Sequence, residues 1–295
     1  MNYFKVLAII FCFLFLTGTA QADTTTYVEP GAYNVSAKRW NRAASTSYLS
    51  TDTWIWSLAG PDKFHKNGKR DSIISIPSSA IPEDITLIIW FHGLGGFSEK
   101  GFKNRIIPQM EYLEEGDASF AIAIPEMPWS TNTSTPRGRQ GQVWTKPGEL
   151  KKYVEEAKGY LNTWSNLKHG KPVGTIRIVF IGHSAGGSAI MSASKEGGLC
   201  DVNPEHIIWS DASYGSWLSR AWRGCMRTLS SDVELHVLVR KWDSPHKNAE
   251  KIIKNIEGHK SGPQLFYQVL DRRKWTHGSI GNNVFLLTNI FPPGC

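Results

Sequence analysis

The sequence predicts an α/β fold with a doubly wound, mostly parallel sheet of about eight strands and helices on both faces. Apolar runs of strand length recur along the chain, and from the third run onward they alternate with helix-like segments. Several runs are almost continuously apolar, which is typical of strands that are covered on both faces. Neither an internal repeat nor a low-complexity linker divides the chain, so we expect a single domain over residues 23–295.

The predicted strands are short runs rich in β-branched and aromatic residues. They cover residues 54–58, 72–76, 85–91, 120–124, 176–181, 206–209, 235–239 and 265–270. The clearest predicted helix follows Pro147, because proline suits the first helical turn. Its apolar side chains recur at helical spacing on one face: Leu150, Tyr153, Val154, Ala157, Leu161 and Trp164. A second helix is predicted over residues 246–257.

The segment 1–22 is typical of an export signal. Lys5 precedes an apolar run over residues 6–16, and the Ala-Gln-Ala sequence at 20–22 has the form of a cleavage site. The run is shorter than the roughly 20 residues that a membrane span needs, and no later segment reaches that length. We therefore expect a secreted or periplasmic protein that begins at residue 23 and has no integral membrane segment.

The formal charge of +7 is spread along the chain without a basic stripe interleaved with aromatic residues, so we predict no nucleic-acid partner. Removal of the leader takes Cys12 and leaves Cys200, Cys225 and Cys295. In an oxidising compartment, an odd number of cysteines leaves one thiol free or paired between chains. We expect a disulfide between Cys200 and Cys225. The oligomeric state stays open.

The sequence Gly-His-Ser-Ala-Gly at 182–186 follows a predicted strand and precedes a run of small residues, 187–193, that we predict to be helical. A G-x-S-x-G motif at a strand-to-helix junction is typical of a nucleophile elbow, in which a tight turn lifts the serine hydroxyl above the sheet. Glycine is needed on either side because side chains there would collide with the neighbouring strand or helix. Ser184 is therefore the candidate nucleophile.

With this motif, the order of the remaining candidates from about residue 72 onward resembles the α/β-hydrolase superfamily, in particular exported bacterial serine esterases and lipases. The resemblance implies a Ser-His-Asp triad in which His277, the histidine after the last predicted strand, is the base. The acid is either Asp211, after the sixth predicted strand, or Asp243, after the seventh. We favour Asp211 because its neighbours are small, whereas Asp243 has Arg240, Lys241 and His246 nearby in sequence, so that an ordinary surface ion pair explains it.

The resemblance also implies an oxyanion hole made of the backbone N–H of Ala185 and an amide of the loop after the third predicted strand. That loop, residues 91–96, is similar to the His-Gly-Gly-Gly motif of the family, but Leu94 interrupts its glycines. We choose the amide of Leu94 ahead of that of Gly95. His92 is expected to hold the loop by hydrogen bonds, and His183 is expected to pack.

Four tryptophans follow predicted strands or precede His277 and are the candidate substrate-binding residues: Trp129, Trp144, Trp217 and Trp275. A small cap is expected after Asp211. These residues predict an exported serine hydrolase that cleaves a small-molecule or envelope-derived carboxylic ester through an acyl-enzyme. An amidase or peptidase acting on cell-wall peptides and a non-catalytic binding module with the same fold stay open. The chemistry implies no metal and no organic cofactor.

Overall fold

A nine-stranded sheet runs through the molecule. The computed structural model describes residues 26–28, 51–57, 71–77, 79–94, 102–127, 144 and 146–291, and the proposed leader, Trp129 and Cys295 lie outside them. The strands are β1 (Thr26–Val28), β2 (Thr51–Ser57), β3 (Asp71–Pro77), β4 (Asp84–Phe91), β5 (Phe120–Pro125), β6 (Thr175–His183), β7 (His206–Ser210), β8 (Glu234–Arg240) and β9 (Gln264–Leu270). All eight predicted strands are present, and β1 is additional.

The strand order is β1-β2-β3-β5-β4-β6-β7-β8-β9. The first three pairings, from β1 to β5, are antiparallel, and every pairing from β5 to β9 is parallel. The prediction of a mostly parallel sheet is therefore confirmed. In such a sheet the carboxyl ends of the parallel strands meet at one edge, which is where β4, β6, β7 and β8 deliver the loops discussed below.

Helices cover both faces of the sheet, as predicted. They are α1 (Ile107–Glu115), α2 (Glu149–His169), α3 (Gly187–Ser192), α4 (Trp217–Arg223), α5 (Ser244–Glu257), α6 (His277–Asn282) and α7 (Val284–Thr288). Side chains of α2 to α5 bury one face together with Leu87 and Ile89 of β4. Those of α1, α6 and α7 bury the other face together with Ile88 and Trp90 of the same strand. The alternation along β4 follows from the two-residue repeat of a strand.

The segment after Asp211, where we expected a small cap, belongs to the helical layer over the sheet. Leu218, Ala221 and Trp222 of α4 are buried in the same core as α2, α3 and α5. These residues bury one side of the helix in the core, while Arg220 and Arg223 are exposed.

Cys225 follows α4 and forms the predicted disulfide with Cys200, with 6.1 Å between the Cα atoms. The bridge ties the segment before β7 to the segment after α4. No helix in the described part of the chain has the length and apolar composition of a membrane span.

Candidate active site

Ser184 lies in a tight turn between β6 and α3. Its backbone has φ 55°, in the left-handed region that a residue with a side chain seldom adopts. The glycines beside it leave room for the turn, because a Cβ on Gly186 would lie 2.0 Å from the carbonyl oxygen of Phe91 and one on Gly182 2.7 Å from Cδ1 of Ile190. The side chain of Ser184 is partly exposed. The turn therefore presents the hydroxyl as the sequence predicted.

Asp211 follows β7 and lies beside His277. The carboxylate is buried, and its Oδ2 accepts a hydrogen bond of 2.6 Å from Nδ1 of His277. Its other oxygen, Oδ1, accepts a hydrogen bond of 3.1 Å from the backbone N–H of Arg240 at the end of β8. Both carboxylate oxygens are therefore held, which fixes the orientation of the imidazole and places the proton on Nδ1, leaving Nε2 as the basic nitrogen.

His277 is the first residue of α6, and the start of this short helix is capped. Thr276 Oγ1 accepts from the backbone N–H of Ser279 at 3.0 Å, and Ser279 Oγ accepts from the backbone N–H of Thr276 at 2.8 Å. This reciprocal pair satisfies backbone donors that the helix itself leaves free. The cap therefore fixes the backbone position of His277 at the start of α6.

The ring of His183, next to the serine, stacks on the ring of His277 with 4.7 Å between their centroids. Its Nδ1 donates a hydrogen bond of 3.0 Å to the carbonyl oxygen of Ser210. Burial, with the positive charges of Arg105 and His277 nearby, holds the pKa of His183 well below its usual range. His183 is thus neutral, so it does not oppose a positive charge on His277.

Helix α6 lies directly against His183. A Cβ on Gly281 would lie 2.7 to 2.9 Å from three atoms of the His183 imidazole, so only glycine permits this approach. His183 was predicted to have a packing role, and this contact confirms it. Because His183 precedes Ser184 and α6 begins with His277, the contact couples the positions of the two candidate catalytic residues.

Tyr214 links the serine to the imidazole and was not among the predicted site residues. Its phenol hydrogen-bonds to the Ser184 side chain, and its ring meets that of His277 edge-on at 6.4 Å. Burial, reinforced by the negative charge of Asp211, raises the pKa of Tyr214, so the phenol keeps its proton. The ring of Trp217 packs edge-on against Tyr214 at 5.7 Å. Only its position three residues after Asp211 could have drawn attention to Tyr214.

The loop after β4 lies against the serine. His92 Nδ1 donates to the carbonyl oxygen of Gly93 at 2.7 Å, and its Nε2 accepts from the backbone N–H of Met127 at 2.9 Å, which confirms the predicted structural role. Burial lowers the pKa of His92 to about 4, so the ring is neutral at pH 7. A Cβ on Gly93 would lie 3.0 Å from Cβ of Ser184. Leu94, which follows, has a side chain that is 59% exposed.

The alternative acid, Asp243, pairs with a residue other than His277. It precedes the first residue of α5 and forms an ion pair with Nε of Arg240. The hydrogen bond of His277 goes to Asp211. The geometry thus separates two aspartates that the sequence left open.

Among the predicted substrate-binding tryptophans, Trp144 requires a correction. It is only 5% exposed and packs against Phe91 and Tyr153, with ring centroids 6.2 and 5.4 Å away. A side chain buried in the core by aromatic neighbours offers no surface to a substrate. Trp217 and Trp275 are partly exposed, while Trp129 lies outside the described residues.

Three solved structures show what this architecture resembles. The fluorophosphonate-binding serine hydrolase FphF of Staphylococcus aureus superposes with a TM-score of 0.50 at 12% identity, over 81% of this chain and 99% of that chain. The chain has the α/β-hydrolase fold. A feruloyl esterase module from Clostridium thermocellum gives a TM-score of 0.49 at 11% identity, over 84% of this chain and 90% of the module. An IroE-like serine hydrolase from Shewanella oneidensis gives 0.46 at 14% identity, over 77% and 76%. No protein-family model and no curated protein sequence matches this chain.

Proposed function

We propose that this protein is a serine hydrolase that cleaves carboxylic esters through an acyl-enzyme, with Ser184, His277 and Asp211 as its triad. The observation that carries the proposal is the 2.6 Å hydrogen bond from His277 to buried Asp211. Tyr214 also supports it, because its phenol hydrogen-bonds to Ser184 and its ring meets the ring of His277 edge-on. A buried carboxylate, an imidazole and a serine on a strained turn are the parts that acyl transfer needs.

In the first step, Ser184 Oγ attacks the acyl carbon of the ester while Nε2 of His277 removes the hydroxyl proton. The new C–O bond forms as the carbonyl π electrons move to the oxygen. Asp211 stabilises the imidazolium through the Nδ1 hydrogen bond. The neutral state of His183 matters here, because a second positive ring 4.7 Å away would oppose this proton transfer.

The oxyanion that forms needs donors, and we assign the backbone N–H groups of Ala185 and Leu94 to this role. The support for Ala185 is its position directly after the nucleophile. The support for Leu94 is the close approach of Gly93 to Ser184, with 3.0 Å between a Cβ at that position and Cβ of the serine. His92 holds this loop through Gly93 and Met127.

The oxyanion then re-forms the carbonyl and the ester C–O bond breaks, while His277 gives its proton to the departing alkoxy oxygen. A water molecule next attacks the acyl-enzyme with His277 as base, and collapse of this second intermediate breaks the bond to Ser184 Oγ, which regains the proton from His277 as the carboxylic acid leaves. The ester reading is preferred because an alkoxide leaves more easily than an amine, so it asks less of the general acid. The hydrogen bond between the Tyr214 phenol and the Ser184 side chain positions the serine hydroxyl in the resting enzyme.

The substrate is proposed to be a small or envelope-derived ester that contacts Trp217 and Trp275, both partly exposed beside the site. An aromatic surface of this kind suits acyl chains, aryl groups and sugar faces. Export from the cytoplasm is part of the proposal, and it is supported by the leader-like sequence at 1–22 and by the disulfide between Cys200 and Cys225.

The test is labelling with a fluorophosphonate probe together with turnover of short-chain aryl esters. We expect the probe to label Ser184 and the Ser184→Ala variant to lose both labelling and about 10⁴-fold or more of its turnover. Ser261→Ala, at an exposed serine before β9, is the matched control and should behave as the natural protein. Labelling that persists in Ser184→Ala contradicts the assignment of the nucleophile.

Two outcomes would replace the ester hypothesis. Rapid cleavage of cell-wall peptides with negligible ester turnover would make the protein an amidase or peptidase that uses the same residues. A protein that resists the probe and leaves esters, thioesters and amides intact would be a binding module with a hydrolase fold.

A further inference from the structure

Three potential metal ligands lie together at the amino ends of β7 and β8. His206 is the first residue of β7 and pairs in register with Glu234, the first residue of β8. His236 follows two residues later on β8, so its side chain lies on the same face of the sheet as that of Glu234. The regular geometry of two adjacent parallel strands therefore brings two imidazoles and one carboxylate to a single point.

The distances within this cluster are short. Oε2 of Glu234 lies 3.0 Å from Nδ1 of His206 and 2.9 Å from Nε2 of His236, and the three ligand atoms all lie within 4.8 Å of one another. Nδ1 of His206 is buried, and its neighbour within the cluster is the Glu234 carboxylate oxygen. The three atoms are therefore already gathered at the spacing of ligands around one centre.

We propose that His206, Glu234 and His236 form a binding site for a divalent transition-metal ion, and that zinc is the ion they fit best. Two imidazole nitrogens and a carboxylate oxygen are typical zinc ligands, with bonds of about 2.0 to 2.2 Å. Calcium and magnesium prefer sites built from oxygen alone, so the two imidazoles disfavour them. The site belongs to the group of centres with three protein ligands, and water completes the coordination.

An ion can enter through rearrangement of the three side chains. Tetrahedral ligands at zinc bond lengths are about 3.3 Å apart, so the carboxylate oxygen must withdraw by a few tenths of an ångström, and the two imidazole nitrogens, which lie within 4.8 Å of each other, must adopt the same spacing. His236 binds through Nε2, so its ring proton moves to Nδ1. The ring stacks on Phe266 of β9 with 4.8 Å between the centroids, which holds its plane in place.

The cluster is accessible from solvent on one side. Glu234 is 31% exposed while His236 is 3% exposed, so the cluster opens toward solvent on one side and is packed on the other. The positive charge of Arg177 acts on His206, but Arg177 pairs with Asp84 at 3.1 Å and with Glu205 at 3.9 Å, which offsets part of that charge.

The site lies at the opposite edge of the sheet from Ser184, because β6 begins at that edge and ends at the serine. A bound ion would therefore join the starts of β7 and β8 and take no part in acyl transfer. We expect zinc to stabilise the fold and to leave ester turnover unchanged.

The experiment is calorimetric titration of the purified full chain, first stripped with a chelator, with zinc chloride. We expect one ion per chain, an affinity at least about tenfold lower in His236→Gln, and an increase of about 5 °C in the thermal midpoint of the natural protein at saturating zinc. His169→Gln, at an exposed histidine on α2, is the matched control and should bind zinc as the natural protein does.

Two further variants separate this site from alternatives. Glu234→Gln changes a half-exposed ligand, so it tests the site even if His236→Gln fails to fold. His277→Gln removes the imidazole of the proposed triad and should keep full zinc binding. The proposal is overturned if the natural protein binds no zinc at 0.1 mM, roughly the weakest affinity expected of three protein ligands. Undiminished binding by Glu234→Gln, or loss of binding in His277→Gln, overturns it as well.

Discussion

The two edges of the parallel sheet hold polar clusters that are built in different ways. At the carboxyl edge, Ser184 and Asp211 come directly after β6 and β7, and both have left-handed backbones, with φ 55° and 48°. At the amino edge, His206 and Glu234 open β7 and β8 and pair in the regular register of the sheet. One cluster depends on strained turns, and the other depends only on strand pairing.

This difference predicts which substitutions will disrupt each cluster. Strained turns persist only when the packing around them fixes their conformation, so the carboxyl edge relies on glycines and buried rings that make no chemical contribution. The cluster at the amino edge does not depend on such packing residues, because strand pairing alone positions its ligand atoms. Substitutions of packing residues should therefore impair the first cluster and spare the second.

The largest expected effect comes from Asp211, the proposed acid of the triad. Asp211→Asn keeps the volume of the side chain but cannot stabilise a charged His277, and we expect kcat for an aryl ester to fall by about 10⁴-fold. Asp243→Asn is the matched control, since that carboxylate pairs with Arg240, and its kcat should stay within a few-fold of the natural value. Steady-state kinetics of both variants decide this, and the reverse ranking would transfer the role to Asp243.

The strands and the turn that carries Ser184 could be predicted from the sequence because both leave local patterns. The apolar run of β6 and the glycines around Ser184 lie within a dozen residues of one another. The sequence left the acid open because His277 is 66 residues from Asp211, and the loops between decide which aspartate the ring reaches. Strand β1 was not predicted, since a three-residue strand carries no periodicity.

The errors among the aromatic residues have the same origin. Trp144 was predicted to bind substrate, but its ring packs against Phe91 and Tyr153. Tyr214 was overlooked because only the folded chain brings its phenol to Ser184. The cluster at His206 is likewise visible only once β7 and β8 are known to pair in register.

The second effect concerns pH. Burial lowers the pKa of His92 from 6.5 to about 4, so between these values the unfolded chain binds a proton that the folded chain does not. Stability contributed by neutral His92 is thus full above pH 6.5 and is lost as the pH falls, by about 3 kcal/mol at pH 4. Urea unfolding at a series of pH values measures this loss.

His92→Asn tests the assignment of that loss to the carboxyl edge. The variant is less stable at pH 7 because it loses hydrogen bonds to Gly93 and Met127. Its unfolding free energy should nevertheless fall less steeply with acid than that of the natural protein. An equal slope in the two proteins would mean that other groups, such as buried His183, account for the acid sensitivity.

The third effect tests the packing of α6. Gly281→Ala places a methyl group 2.7 to 2.9 Å from the His183 ring, so α6 must shift and carry His277 with it. A displacement of about 1 Å can reduce catalysis by 10²-fold, and we expect kcat to fall by that order. Gly278→Ala, on the same helix with open space around its Cβ, is the control and should retain kcat. Zinc binding should be the same in both variants, because the amino edge does not depend on this helix.

The smallest effect tests whether the cap at the start of α6 positions His277. Thr276→Ala removes the hydroxyl that accepts from the backbone N–H of Ser279, and we expect a loss of about 1 kcal/mol in unfolding free energy with a few-fold decrease in kcat. Thr276→Ser should restore both, because serine caps equally well. Thr163→Ala is the matched control, because Thr163 lies on an exposed face in the middle of α2. This variant should cost no stability, since alanine is the better helix former. If Thr276→Ala lowered stability without lowering kcat, the first turn of α6 would contribute to the fold but not to the position of His277, and that part of the contrast between the two edges would be wrong.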